Sequence, residues 1–266
     1  MPIAHLALLM ALVQSSPVLA HSPLAGDGAE RLAALLGALL LTGFLFVYWL
    51  GSLRRPTKRR YSFAFYLATT ICYLAMLGPL DDRAETSAAA HMVQHMAFMV
   101  VIAPLWVLAQ PLPQLAACGK KGFQWLWRPM MRVARQPVLA AWIHGGVIWF
   151  WHLPDFYIIA LENPWWHIVE HGCFIFSAGL FWWAVLTSTP RKAPWALMAL
   201  LLTLVHTGFL GAILTFADAP LYGKGRVLQD QQLAGLIMWV PGAIPYLIAT
   251  MWVSAKWSRR LSGVNA

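Results

Sequence analysis

Two short segments of this sequence carry histidines at helical spacing. His91 and His95 are four residues apart. In the second segment, His167, Glu170 and His171 follow the spacing i, i+3, i+4. Residues three or four apart share one face of an α-helix, so each segment presents its imidazoles together. Imidazole and carboxylate groups bind transition metals, and the spacing therefore predicts a metal site.

Two further histidines extend the candidate site. His152 follows a tryptophan and precedes Pro154, and His206 lies near the middle of a later apolar stretch. Each could instead hydrogen-bond a neighbouring helix. The predicted ligands are His91, His95, His152, His167, Glu170, His171 and His206. Residues expected around these ligands or in an outer vestibule are Gln94, Met92, Met96, Asp155, Asp230 and Gln232.

The ligand types favour copper. The three cysteines form no C-x-x-C pair, so a thiolate site is not indicated. Imidazole beside thioether and carboxylate suits copper, and methionine favours the cuprous form. Zinc remains an alternative because histidine and glutamate alone are sufficient for it. Met92, Met96 and Met99 form a stripe at i, i+4 and i+7, and a methionine stripe on a helix is also typical of plain packing.

The elements that position these residues are membrane helices. Of the 266 residues, 60% are hydrophobic and 11% are charged. The apolar residues form blocks close to the roughly 20 residues that a helix needs to cross the bilayer. We predict an all-α integral membrane protein, a seven-transmembrane helix bundle. Its spans are about 32–53, 61–80, 88–109, 138–153, 165–187, 195–217 and 231–253.

Basic residues predict the orientation. Lysine and arginine crowd into 54–60, 120–135, 191–192 and 256–260, at alternate ends of the predicted spans. By the positive-inside rule these ends are cytoplasmic, which puts the N-terminus outside and the C-terminus inside. The net charge of +9 then reflects topology and anionic lipid headgroups, and nucleic-acid binding is not expected.

The first twenty residues are predicted to be a signal peptide. A short apolar run is followed by Val18-Leu19-Ala20, which fits cleavage after Ala20, although the usual basic start is missing. An uncleaved anchor is the alternative. Residues 21–266 are expected to form a single membrane domain.

Five motifs, in order, resemble the CtaG family. They are His91-Met92-Val93-Gln94-His95, Trp151-His152-Leu153-Pro154, His167 with Glu170-His171, the stretch from His206 to Phe216, and the stretch from Asp230 to Gly242. That family contains assembly factors of caa-type cytochrome c oxidases in bacterial inner membranes. The resemblance implies a seven-helix protein that helps to mature the oxidase by handling copper for its metal centres.

Three functional classes follow. The favoured one is a non-catalytic assembly factor that binds copper near the periplasmic face. Its expected partners are the lipid bilayer and either apo-cytochrome c oxidase subunits or a periplasmic copper donor. A membrane copper transporter and a haem-binding electron-transfer protein are the alternatives. Transport is disfavoured because the polar residues cluster at one face, and haem because there are more histidines than two axial ligands require.

Overall fold

All regular elements of the described chain are helices. The computed structural model describes residues 28–118, 129–223 and 227–262. Within these ranges there is no β-strand, which confirms the all-α prediction. The predicted signal peptide at 1–20 lies outside the described residues.

The helices follow one another with short connections. In chain order they are α1 (Ala29–Arg54), α2 (Arg59–Leu77), α3 (Pro79–Thr86), α4 (Ala88–Met96), a π-helical segment (Ala97–Ile102), α5 (Ala103–Leu108), α6 (Leu112–Cys118), α7 (Pro137–Trp151), α8 (Pro154–Glu162), α9 (Pro164–Leu186), a 3-10 turn (Pro190–Lys192), α10 (Ala193–Thr215) and α11 (Leu228–Leu261).

Five helical stretches are long and apolar enough to cross a membrane. They are Ala29–Arg54, Ala88–Leu108, Pro164–Leu186, Pro190–Thr215 and Leu228–Leu261. Helices α2 and α3, bent by 46° at the break, make a sixth span if they are counted together. Helix α7 has 15 residues, which at 1.5 Å per residue reach about 22 Å of the roughly 30 Å hydrocarbon layer. The described residues thus contain five or six candidate spans, and the predicted seven are not confirmed.

The helices occupy the predicted apolar blocks, with local differences. The block 61–80 is interrupted at Gly78, and the block 88–109 contains the π-helical segment. Three short helices, α3, α6 and α8, were not expected from the sequence. Helices α3, α7, α8 and α9 each begin with a proline, whose fixed φ suits the first helical position and whose missing N–H is not needed there.

The last two helices touch through their backbones. A Cβ atom added to Gly235 of α11 would lie 2.5 Å from the Gly211 carbonyl oxygen of α10 and 2.7 Å from the Thr215 nitrogen. Only glycine permits so close an approach. Helix α11 also packs against α4, and α9 packs against α7. The contacting helices α4, α7, α9, α10 and α11 enclose the main apolar core, which includes Ile148, Phe174 and Leu200.

Candidate metal centre

Two side chains cap the N-terminus of helix α4, which carries His91 and His95. The Ser87 hydroxyl oxygen accepts a hydrogen bond from the Ala90 N–H, as an N-cap side chain does. Asp230 of α11 accepts from the Ser87 hydroxyl at 2.8 Å and from the Ala88 N–H. Since His91 follows within one turn, these contacts fix the position from which its ring projects.

Helix α9, which carries the second ligand segment, also has a side-chain cap. The Asn163 side chain accepts hydrogen bonds from the Trp165 and Trp166 N–H groups at 3.0 and 3.4 Å. Further along α9, the Trp182 indole donates to the Met99 carbonyl at 2.7 Å. Met99 belongs to the π-helical segment directly after α4. Short π-helical segments are frequent at functional sites, and this indole bond ties the segment to α9.

The first group of ligands, the glutamate trio, consists of His91, His95 and Glu170. The Nε2 atoms of both histidines lie 3.6 Å from Glu170 Oε2. One potential ligand atom from each of the three residues lies within 4.8 Å of the other two. The exposed fraction of each side chain is 1% or less. Two helices, α4 and α9, thus place two imidazoles and one carboxylate around one buried point.

The second group, the aspartate trio, consists of Asp81, His167 and His171. Its ligand atoms also lie within 4.8 Å of one another. Asp81 was not predicted as a site residue, because the sequence assigned it to the outer loop after the second span. The bend at Gly78 and the short helix α3 bring it back to the bundle. The sequence signal that could have found it is the Gly78-Pro79 pair, which is followed after Leu80 by two aspartates.

Gln94 holds the carboxylate of Asp81. Its Nε2 atom donates one hydrogen bond to Asp81 Oδ1 and another, of 2.7 Å, to the Ala75 carbonyl oxygen. Gln94 is fully buried between the two histidines of α4. Gln94, which was predicted to lie around the ligands, therefore orients the carboxylate of Asp81.

The two trios lie next to each other. The rings of His91 and His167 are nearly parallel, with centroids 5.5 Å apart. The rings of His95 and His171 are 5.9 Å apart. Glu170 lies between His167 and His171 on α9. Five of the seven predicted ligands are thereby brought into one cluster.

The cluster contains buried polar atoms with no hydrogen-bond partner among the described residues. They are both ring nitrogens of His91 and of His95, Nε2 of His167 and of His171, and both carboxylate oxygens of Glu170. An unpaired buried polar group costs about 1–3 kcal/mol, and native interiors rarely retain several together. These atoms are also suitable donors for a transition metal. The residues present therefore fit a bound metal ion.

His152, another predicted ligand, stands beside the glutamate trio. Its ring centroid is 6.3 Å from that of His95. Its Nδ1 atom lies 2.7 Å from the Ile148 carbonyl oxygen. Because a carbonyl only accepts, this bond assigns the proton to Nδ1 and leaves Nε2, which has no other partner, as a free lone pair. The imidazole is thus set as a neutral ligand.

Two stacked tyrosines lie over the same end of the bundle. Tyr157 and Tyr222 have ring centroids 3.8 Å apart, and Tyr157 lies 5.3 Å from the His91 ring. Burial raises the pKa of Tyr222 above its ordinary value, and the neighbouring Tyr157 and Glu170 raise it further. The phenol therefore stays protonated and can donate its hydrogen to the His152 carbonyl oxygen, 3.4 Å away.

His206 packs in a different place. Its Nε2 atom would lie 2.9 Å from a Cβ atom added to Gly145, so the ring rests on the backbone of α7. His144 is the sequence neighbour of Gly145. His144 Nδ1 is hydrogen-bonded to the Ser177 hydroxyl at 2.9 Å. His144 was left out of the predicted site, and His206, which was predicted as a ligand, belongs to neither trio.

The remaining predicted residues have mainly structural contacts. Met92 belongs to the main apolar core, and the Met96 sulfur points toward Gly242 of α11. Asp155 is exposed in the first turn of α8. The amide of Gln232 donates to the Ala217 carbonyl oxygen at 3.1 Å. With Asp230 capping α4, these contacts position helices, and they support the packing interpretation of the methionine stripe.

Comparison with known proteins agrees with the motif resemblance. No curated protein and no solved structure was found to match the chain. The family model described as cytochrome c oxidase caa3 assembly factor (Caa3_CtaG) matches residues 44–260. These residues include every member of both trios and most of the chain. The chain therefore belongs to the Caa3_CtaG family of cytochrome c oxidase assembly factors.

Proposed function

We propose that this protein is a non-catalytic, copper-binding assembly factor that supports maturation of a metal centre in cytochrome c oxidase. The buried cluster of His91, His95, His167, Glu170 and His171 holds the copper, with His152 beside it. Family membership supports the assembly role. The side chains of the cluster support the copper site.

The observation that carries the proposal is the absence of a cationic side chain next to Glu170. Among the described residues, no lysine or arginine nitrogen lies within 4.0 Å of this carboxylate, and the imidazoles of His91 and His95, each 3.6 Å away, are positive only when protonated. A buried carboxylate without a positive partner is strongly unfavourable. A metal ion bound by the same imidazoles supplies that positive charge, and the helices already hold its ligands in place.

The type of ligand favours copper. Imidazole nitrogens bind copper well, and copper is bound more strongly than zinc at sites of the same ligands. The methionine sulfurs predicted to favour the cuprous form are engaged in packing, so imidazoles and carboxylates are the ligands that remain. Zinc remains the alternative metal because it also uses two histidines and one glutamate.

The membrane arrangement that we propose has seven spans, with α7 as the short one. The N-terminus lies outside and the C-terminus inside, in the bacterial inner membrane, which sets the cluster near the periplasmic face. The basic loops support this orientation. From that face the protein can exchange copper with a periplasmic donor or with apo-cytochrome c oxidase subunits. A cleaved signal peptide at 1–20 is part of the same proposal.

The test measures copper content and oxidase activity for His95→Ala, His171→Ala and Glu170→Gln. We expect loss of copper from the purified variants and reduced oxidase activity in cells, because each change removes a donor from the cluster. Loss of a residue that orients ligands lowers metal affinity by roughly 10- to 100-fold. Elemental analysis separates copper from zinc, electron paramagnetic resonance detects copper(II), and the absorbance spectrum reports any haem.

His144→Gln is the matched control, since His144 is equally buried but belongs to neither trio. It should retain copper and oxidase activity. Normal copper and normal oxidase activity in all three site variants, at equal abundance in the membrane, would refute the shared copper site.

A further inference from the structure

We propose that the cluster binds two copper ions side by side, one in the glutamate trio and one in the aspartate trio. This inference rests on the proposed function, because it requires that the cluster bind copper. It goes further by assigning Asp81 as a ligand and by separating the histidines of α9 from those of α4.

Each trio is a complete set of donors. Three protein ligands are a common number for zinc and copper sites that exchange a further ligand. In both trios the set is two imidazoles and one carboxylate, with ligand atoms within 4.8 Å of one another. The two sets share no residue. The same chemistry therefore occurs twice in adjacent positions.

The unpartnered nitrogens are divided between the two trios. Nε2 of His167 and Nε2 of His171 are buried and have no hydrogen-bond partner among the described residues. An ion bound by the glutamate trio takes one nitrogen each from His91 and His95 and leaves Nε2 of His167 and Nε2 of His171 unpaired. An ion in the aspartate trio satisfies them.

Asp81 has the support that a ligating carboxylate usually has. The Gln94 amide donates to Oδ1 and is itself anchored by the Ala75 carbonyl oxygen. Hydrogen bonds of this kind orient metal ligands. Because Gln94 lies between His91 and His95 on α4, a single side chain connects the aspartate trio to the helix of the glutamate trio.

The charges also support two ions. The described residues place no lysine or arginine nitrogen within 4.0 Å of either Asp81 or Glu170. A single ion in one trio would leave the carboxylate of the other without a positive partner in a largely buried position. Since a carboxylate that is removed from water needs such a partner to stay ionised, one ion per carboxylate is the arrangement that the charges favour.

The experiment is the copper-to-protein ratio of the full chain purified in detergent. The protein is loaded in parallel with copper(I) under nitrogen and with copper(II) in air, and unbound metal is removed. We expect two copper ions per chain for the unaltered protein in the better of the two conditions. We expect one copper ion for Asp81→Asn and one for Glu170→Gln, since each change removes the charged ligand of one trio only.

His167→Ala serves as a second variant of the aspartate trio in case Asp81→Asn does not fold, and it too should bind one ion. Glu162→Gln is the matched control, because Glu162 is an exposed carboxylate at the end of α8. It should retain two ions.

The outcomes separate this inference from the proposed function. One copper ion in the unaltered protein, lost in Glu170→Gln and retained in Asp81→Asn and His167→Ala, refutes the second ion but leaves the copper-binding function standing. Two copper ions in both variants of the aspartate trio would place the second ion elsewhere and also refute the inference. No copper under either loading condition refutes the inference and the proposed function together.

Discussion

Replacing Asp230 by alanine should loosen the beginning of α4. The Asp230 carboxylate accepts from the Ser87 hydroxyl at 2.8 Å, from the Ala88 N–H at 2.5 Å and from the Ala89 N–H at 3.4 Å. Two of these donors are N–H groups at the start of the helix, which have no carbonyl partner within it. The carboxylate therefore joins α11 to the first turn of the helix that carries His91.

The magnitude follows from the kind of contact. Losing a side-chain cap costs about 0.5–2 kcal/mol, and a negative charge at a helix N-terminus contributes up to ~2 kcal/mol in a partly buried position. Ser87 still caps the Ala90 N–H in the variant, so part of the capping remains. We expect a loss of about 2 kcal/mol in the local stability of the first turn, which is roughly a 30-fold change in its opening equilibrium.

Hydrogen exchange measures this opening directly. The amides of residues 88–92 should exchange about 30-fold faster in Asp230→Ala than in the unaltered protein, at 1.4 kcal/mol per factor of ten. Asp155→Ala is the control, because Asp155 occupies the first turn of α8 but is exposed. Unchanged exchange at these amides in Asp230→Ala would show that the carboxylate does not hold the helix.

Three further predictions concern packing, the site and topology. Gly235→Ala should lower the thermal midpoint by the equivalent of about 1–3 kcal/mol, because its Cβ would overlap backbone atoms of α10. In the control Gly146→Ala the added Cβ has no neighbouring atom within 4 Å, so the thermal midpoint should not fall. Equal losses in the two variants would contradict the close helix contact. Gln94→Glu should reduce the copper content measured by metal analysis, because it replaces the amide donor by a second carboxylate beside the first; full copper would argue against this positioning role. Reporter fusions at Arg60 and Arg191 should be active on the cytoplasmic side, and activity confined to the periplasm would reverse the proposed orientation.

Local patterns in the sequence were enough to predict most of the long apolar helices and five of the six residues in the two trios. The 3.6-residue period makes His91 and His95 neighbours on one face whatever the rest of the fold does. The same argument groups His167 with Glu170 and His171. The apolar blocks likewise specify helices, because in the bilayer the backbone polar groups of a spanning segment must be satisfied within the segment or by close neighbours.

The sequence did not decide the number of spans, because that number depends on the length of each unbroken helix. Helix α7 is short, and α2 is broken from α3 at Gly78. Hydropathy averaged over a block does not detect such a break. A bend of 46° in turn decides where Asp81 lies, and for that reason the sequence assigned this residue to a loop.

The sequence by itself thus determined the long helices, the faces on which their histidines lie and the family to which the chain belongs. Only the tertiary structure decided which faces meet. Contacts between distant residues divided four histidines between two trios, each with one carboxylate. They also placed the His206 ring against Gly145 and the Asp230 carboxylate at the N-terminus of α4. The physical reason is that the rotation and neighbours of each helix are set by packing, such as the backbone contact of Gly211 with Gly235, and this information is not contained in the spacing of residues along one helix.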